Sequence, residues 1–396
     1  MRVAQPAKLA VAWLTMFLVG TELFVLSPLL PVFAAAFDVS LSIAGLSVTI
    51  FSLTYMISAP IFGHVADRIG RQRVLTYSLL AFAATNLLTA CATDLPSLLA
   101  VRLFAGAAAA GVSPSIYAIV SSVAPPERRA TWLAMVVSGL LISLALGASA
   151  GGLVGALFGW TPVFVALAGL SLGLAWLNRY VWPTERSRIA GLDIAGVDRV
   201  AATILACRLM PMIVWSTGLY SVYTYLGAAL SAAGFSAEGA AQAILFYGSG
   251  ALAGVLIGGR TADRFGVRFT IGVSFAGFCA CLLLLRAALD AGKLIEPTLG
   301  ISSAVAQLFF PAQQAGLAND FPRQRSTVLA WNNSALFCGI SLGSLVGGQA
   351  VALASFDANL TISAGIALIG CIVTAIVLPR STTMPRQSSQ KTTVRQ

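Results

Sequence analysis

Polar residues are scarce enough along this chain that the apolar runs between them can be counted. Twelve stand out, at 9–34, 43–64, 74–93, 96–122, 131–156, 161–178, 205–230, 239–259, 269–289, 294–318, 327–353 and 359–378. Each is about as long as a helix needs to cross ~30 Å of hydrocarbon. Backbone groups in lipid have no water to bond, so such runs must close their hydrogen bonds internally, as helices. The pattern predicts an all-α membrane protein of twelve transmembrane helices. The first run follows Arg2 and Lys8, exceeds the apolar stretch of a signal peptide and precedes further spans, so it reads as a retained helix.

Composition supports this and narrows the function. The 396 residues are 58% hydrophobic and 10% charged, against about 25% charged in soluble domains. The net charge of +10 is spread over short loops with no long basic run, which argues against nucleic acid as a partner. Of 24 Lys and Arg, all but Arg102, Arg286 and Lys293 fall on the side that holds both termini. The opposite loops carry mainly acids: Asp38, Asp94, Glu238, Asp290, Glu296 and Asp357. Basic residues stay cytoplasmic, so both termini are expected in the cytoplasm of a multi-pass plasma-membrane protein. The six cysteines, Cys91, Cys207, Cys279, Cys281, Cys338 and Cys371, lie in apolar stretches without CxxC spacing, and His64 is the sole histidine. They read as small buried hydrophobes, with no disulfide, metal or cofactor expected.

The chain repeats itself. Gly63-x-x-x-Asp67-Arg68-x-Gly70 returns as Gly259-x-x-x-Asp263-Arg264-x-Gly266. Pro126-x-x-Arg129-x-Thr131 returns as Pro322-x-x-Arg325-x-Thr327, and Gly147-x-x-x-Gly151-Gly152 as Gly343-x-x-x-Gly347-Gly348. Every matched pair is 196 residues apart, as Gly63 is from Gly259. Three matches in one register imply two six-helix bundles, related by an axis along the membrane normal with a substrate cavity between them. The expected division is a bundle over 1–178, a central cytoplasmic loop over 179–204, a second bundle over 205–380 and a disordered tail over 381–396.

Gly63 to Arg73, between spans two and three, resembles the signature loop of the major facilitator superfamily, and Gly259 to Arg268 resembles its weaker second copy. The resemblance implies the twelve-helix, two-bundle fold and alternating access. Gly20-Thr21-Glu22-Leu23-Phe24 with Pro28 to Pro31, Leu99-x-x-Arg102-x-x-x-Gly106, and Gly147 to Gly152 look like motifs of the drug:proton antiporter and sugar-efflux branch. Ala105, Ala148 and Ser143 depart from those motifs. The branch implies proton-coupled efflux of a small, partly hydrophobic compound by a monomer. Export of a sugar or metabolite, or uptake with protons, is the alternative, and a non-transporting sensor a more distant one. No phosphate-binding loop or nucleophile constellation appears in the sequence, which points away from an enzyme or an ATP-driven pump.

Glu22 is the one acid placed deep in a span, where charge is costly and usually functional. It reads either as a group that binds protons or a cationic substrate, or as a structural carboxyl bonded to a neighbouring helix. Arg102, the one deep basic residue, reads either as a partner in coupling, which the resemblance suggests, or as a side chain reaching back to the outer face. Their repeat mates are Gly218 and Thr298. Gly63, Asp67, Arg68, Gly70, Arg71 and Arg73, with Asp263 and Arg264, form the candidate gate. Gly63 and Gly70 would permit close backbone approach. Asp67 would meet a helix N-terminus, by resemblance that of span eleven near Ser326. Gly147, Gly151, Gly152, Gly343, Gly347 and Gly348 suit close helix packing, static or hinge-like. Candidate substrate contacts are Tyr55, Tyr117, Trp215, Tyr220, Tyr223, Gln307, Gln313, Trp331, Asn332 and Asn333, with interfacial anchoring the other role for the aromatics.

Overall fold

The structure is a computed structural model that describes residues 5–125, 128–182, 199–321 and 325–378. Among the described residues the elements are α1 (Gln5–Ala36), α2 (Leu41–Ile69), α3 (Arg71–Ala90), α4 (Leu95–Val123), α5 (Arg129–Ile142), a π-helical turn (Ser143–Gly147), α6 (Ala148–Phe158), α7 (Thr161–Val181), α8 (Arg199–Ala232), α9 (Ala237–Phe265), α10 (Val267–Ala291), α11 (Ile295–Gln307), α12 (Phe309–Asp320), α13 (Arg325–Leu353) and α14 (Phe356–Val377). α5, the π-turn and α6 make one crossing, and α11 with α12 another, so the twelve expected spans are present. The connection between the halves is shorter than the expected 179–204, because α7 runs to Val181 and α8 starts at Arg199. The expected tail lies outside the described residues.

Ten of the crossings are long and apolar enough to span a membrane on those criteria alone. The other two differ for separate physical reasons. α3 is inside out. It buries Gln72, Thr76, Ser78, Thr85, Asn86 and Thr89 and exposes Tyr77, Leu80, Leu87 and Leu88. α11 and α12 are separated at Leu308, because Pro311 supplies no N–H and its ring crowds the carbonyl one turn back. Side chains from other helices add hydrogen bonds to carbonyls beside the break. Trp215 Nε1 donates to Ala306 (2.7 Å), and Ser274 Oγ to Val305 (2.8 Å) and Ala306 (2.9 Å). Trp215 also stacks on Phe309.

The duplication reaches individual hydrogen bonds. Ser40 caps α2 through Ile43 N, and its mate Ser236 caps α9 through Gly239 N. Thr21 bonds the Phe17 carbonyl and Thr217 that of Ile213. Gly70 and Gly266 both turn the chain at positive φ, 98° and 89°, where a side chain would be strained. Gln72 Nε2 donates to the carbonyl of Arg179, while its mate Arg268 donates to that of Ala375, the mate of Arg179.

Three seams join the halves. On the central one, α1 meets α8. Ser27 Oγ donates to the carbonyl of Tyr223, the Tyr223 hydroxyl donates to Phe24 O (2.8 Å), and Gly227 lies against Pro28. Ser27 and Tyr223 are repeat mates 196 residues apart, so the pseudo-twofold axis passes between them. The other two seams are copies of each other: α2 on α13, and α9 on the crossing that contains the π-turn. Each half packs its small residues on its own first helix. A Cβ at Gly147, Gly151 or Gly152 would strike Thr21, Val25 or Pro28, and one at Gly343, Gly347 or Gly348 would strike Thr217, Ser221 or Tyr225. All six cysteines are free; Cys279 and Cys281 are buried as expected, but Cys91 and Cys207 are exposed.

Candidate functional site

Glu22 lies midway along α1, where the small residues of the π-turn crossing bring that crossing close. Arg102 lies two turns into α4. Arg102 Nη1 donates to Glu22 Oε1 in an ion pair with both side chains at 0% exposure. The reading of Arg102 as a side chain reaching to the outer face is therefore corrected: the residue turns inward to the buried Glu22 carboxylate. The guanidinium also lies over the ring of Phe51 in α2, 4.5 Å from its centre, an attractive arrangement for a desolvated cation. Glu22 Oε2 and Arg102 Nε and Nη2 have no hydrogen-bond partner among the described residues. The pair thus keeps unused polar capacity, and burying two charges is itself weak evidence of a stabilising role. A proton on Glu22 would dissolve the ion pair and leave the Arg102 guanidinium with Phe51 beneath it.

The π-turn lies beside this pair, and the sequence reading missed it. Ser143 Oγ bonds the Leu140 carbonyl (2.6 Å), and a side chain on Gly20 would run into Ser143. Such wide turns recur at functional sites. The departures at Ser143 and Ala148 fall at its two ends, and they were the available signal.

The candidate substrate contacts separate into groups. Tyr55 stacks on Phe337 across the α2–α13 seam, and Asn333 Nδ2 donates to its hydroxyl (3.5 Å). Tyr117 is partly buried on α4. Tyr220 and Tyr223 belong to the central seam, with Tyr247 stacked on Tyr223 at 5.2 Å. Trp215 is engaged at the break in the tenth crossing. Gln307 is buried beside that break. Gln313 is buried and donates to the Arg208 carbonyl (2.8 Å). Asn332 is buried with its Oδ1 unpartnered. Trp331 is 48% exposed on the same stripe as Leu342 and Leu345, so it takes the outward role considered for the aromatics. Phe51, Phe337 and Tyr247 were not singled out from sequence. Phe51 lies one turn before Tyr55, a spacing that could have found it.

The gate is described in part. Gly70 turns the chain at positive φ, a role the sequence reading did not assign to it, and a Cβ at Gly63 would meet open space, so the close approach expected at Gly63 is corrected. Arg68 and Arg73 are exposed and Arg71 partly buried. In the second copy Asp263 and Arg264 are exposed, with Arg264 over the Phe265 ring. The side chains of Asp67 and Ser326 lie outside the described residues.

A family model described as Major Facilitator Superfamily matches residues 12–295 and 234–395. The chain belongs to that superfamily. It is 29% identical over 340 residues to the uncharacterised MFS-type transporter YceJ of Bacillus subtilis, covering 84% of this chain and 86% of that one. It is 27% identical to a chloramphenicol resistance protein of Streptomyces lividans (62% of this chain, 64% of that one), and 29% identical to the 3-(3-hydroxy-phenyl)propionate transporter of Escherichia coli (63% and 66%). A solved D-xylose–proton symporter superposes with a TM-score of 0.80 over 94% of this chain at 17% identity, which is a likeness of fold. The protein is a multi-pass membrane transporter of the major facilitator fold and not an enzyme.

Proposed function

We propose that this transporter expels a small, partly hydrophobic compound across the bacterial plasma membrane in exchange for protons, with both termini in the cytoplasm. The observation that carries this reading is the Glu22–Arg102 pair, fully buried and with unpartnered polar atoms. A proton-driven carrier needs a group that takes a proton in one state and releases it in another, and this carboxyl has a built-in competitor for its charge. The likeness to a chloramphenicol resistance protein supports efflux. Uptake with protons or metabolite export is the second reading, favoured by the likeness to a hydroxyphenylpropionate transporter. Transport in inverted vesicles with an imposed pH gradient, with and without an uncoupler, tests the assignment. Glu22→Gln should abolish uphill transport while retaining downhill exchange. Uphill transport equal to the parent, with the same uncoupler sensitivity, would return Glu22 to a structural role. The loop from Gly63 to Arg73 acts as the gate on the terminal side. Asp67→Asn should slow turnover of a folded protein, and unchanged turnover would reduce the loop to a topology signal.

A further inference from the structure

The two copied seams between the halves are not built alike. Where α9 meets the π-turn crossing, Gly248 lies on the backbone of Ala145. The mates of Tyr55, Asn333 and Phe337 on that side are Ala251, Val137 and Leu141. Small and aliphatic residues therefore suffice to close such a seam. On the α2–α13 side the contact is a face-to-face stack of Tyr55 and Phe337, ring centres 3.5 Å apart and 12° from parallel. The Tyr55 hydroxyl meets Asn333 from the second half and Ser113 from the first. Tyr55 and Phe337 are buried, while Asn333 and Tyr117 are partly open. Beyond the stack, Ser341 and Ser344 hold the carbonyls of Thr49 and Gly45. The serine contacts thus hold the seam at Thr49 and Gly45, apart from the aromatic pair.

We propose that this seam recognises a flat aromatic ring bearing a hydroxyl or nitro group, which takes the place of Phe337 on the face of Tyr55 and receives the Asn333 amide. The proposal rests on the transport reading above and names the substrate class. Displacing Phe337 exchanges one ring stack for another and parts α2 from α13, which links occupancy of the site to movement between the halves. A saturated ring has neither the flat face nor the π-charge distribution that stacking uses. The Asn333 side chain can donate two hydrogen bonds and accept others, so it reads the substituent.

Thermal stabilisation of the purified protein in detergent tests this without any gradient. The probes are 4-nitrobenzyl alcohol and 3-(3-hydroxyphenyl)propionate, each beside its cyclohexyl counterpart. The aryl probes should bind the parent at least tenfold more tightly than the saturated ones. Asn333→Leu should weaken aryl binding about tenfold, the equivalent of one lost hydrogen bond. Tyr55→Phe should keep the preference for aryl rings, and Val137→Asn on the copied seam should change nothing. Failure of both aryl probes to bind, equal binding of saturated rings, or parental affinity in Asn333→Leu would overturn the site. Its fate is separable from that of coupling. A protein that pumps but treats aryl and cyclohexyl compounds alike loses the site and keeps the transport reading. One that binds aryl rings selectively but drives none uphill keeps the site and loses proton coupling.

Discussion

In the first half a carboxylate, a guanidinium and a phenyl ring meet in the middle of the bundle: Glu22, Arg102 and Phe51. At the same three places the second half has Gly218, Thr298 and Tyr247. Gly218 faces Ile366 and the Ser363 carbonyl, and Thr298 bonds its own helix at Leu294. The second half does hold an ion pair, Arg208–Asp320, but Asp320 ends α12 and is partly exposed. The fourth crossing is continuous through Pro114, whereas its mate is broken at Leu308. The Ser40 and Ser236 caps, the Gly70 and Gly266 turns and the helix-end bonds recur between the halves, and the buried charge pair does not. Duplication set the scaffold twice, and among the described residues the fully buried ion pair is present in the first half alone.

The sharpest way to break this comparison is to strip the first half of its charge. Arg102→Met leaves Glu22 buried without its counter-charge, at a cost of about 3–5 kcal/mol. It should lower the melting temperature in detergent far more than Thr298→Met, which should stay within ~0.5 kcal/mol. The double variant Glu22→Gln/Arg102→Met should recover most of the loss. Parental melting of Arg102→Met would mean that the two side chains do not depend on each other.

A smaller contrast lies in the glycine runs. A Cβ on Gly343 would be 2.6 Å from the Thr217 carbonyl and 2.9 Å from Ser221 N, both backbone, whereas one on Gly147 meets only the Thr21 side chain. Backbone cannot turn aside, whereas at Gly147 the Thr21 hydroxyl can rotate although its Cβ cannot, so within about 1–3 kcal/mol Gly343→Ala should cost more than Gly147→Ala. Equal shifts in melting would show that both first helices yield alike. Next come the repeated helix-end bonds. Gln72 is buried and serves two carbonyls, of Arg179 and Trp182, while Arg268 is more open and serves one. Gln72→Ala should cost about 1–2 kcal/mol for the polar groups left unmatched. Arg268→Ala should cost no more than ~0.5 kcal/mol, and the reverse order would make the first-half contact incidental.

Much of this was legible in the sequence, because lipid permits so few backbone solutions. Apolar runs of span length gave the twelve crossings, and the 196-residue register gave the halves; the matching Ser40 and Ser236 caps came only with the structure. Glu22 and Arg102 were each found by their depth. Their pairing was not legible, because spacing along two separate helices says nothing about which faces meet. The Tyr55–Phe337 stack was half visible for the same reason: Tyr55 stands out as a polar aromatic, while Phe337 is one of 21 phenylalanines and gains meaning only from its partner across the seam. The π-turn adds no residue to its half, since Arg129 and Gly147 both keep register with Arg325 and Gly343, so counting could not reveal it. Pro311 was an available signal of the break at Leu308 that the reading of 294–318 as one span did not use; Pro114 in the first half breaks nothing, and the Trp215 and Ser274 side chains that bond carbonyls beside the break come from other helices.

The smallest expected effect concerns a cap outside the membrane. Asp94 accepts the Ser97 amide at 2.8 Å and Ser97 answers in a capping box at the start of α4. Its mate Asp290 falls inside α10 rather than ahead of a helix, so this cap belongs to one half alone. The hydrogen bonds from Ser97 hold the Asp94 carboxyl below the ordinary carboxylate range. A carboxyl whose folded pKa is depressed stabilises the fold at pH above its unfolded value, about 3.9. That contribution fades as pH falls through the folded value beneath it. Amide exchange at Ser97, corrected for the intrinsic pH dependence of exchange, should therefore speed up below about pH 4 in the parent. Asparagine caps helices about as well as aspartate and does not titrate. Asp94→Asn should leave exchange at neutral pH near the parental rate and remove the acid-dependent increase. If the variant keeps that increase, the Ser97 amide is being released by something other than this carboxyl, and the cap contributes equally in both protonation states.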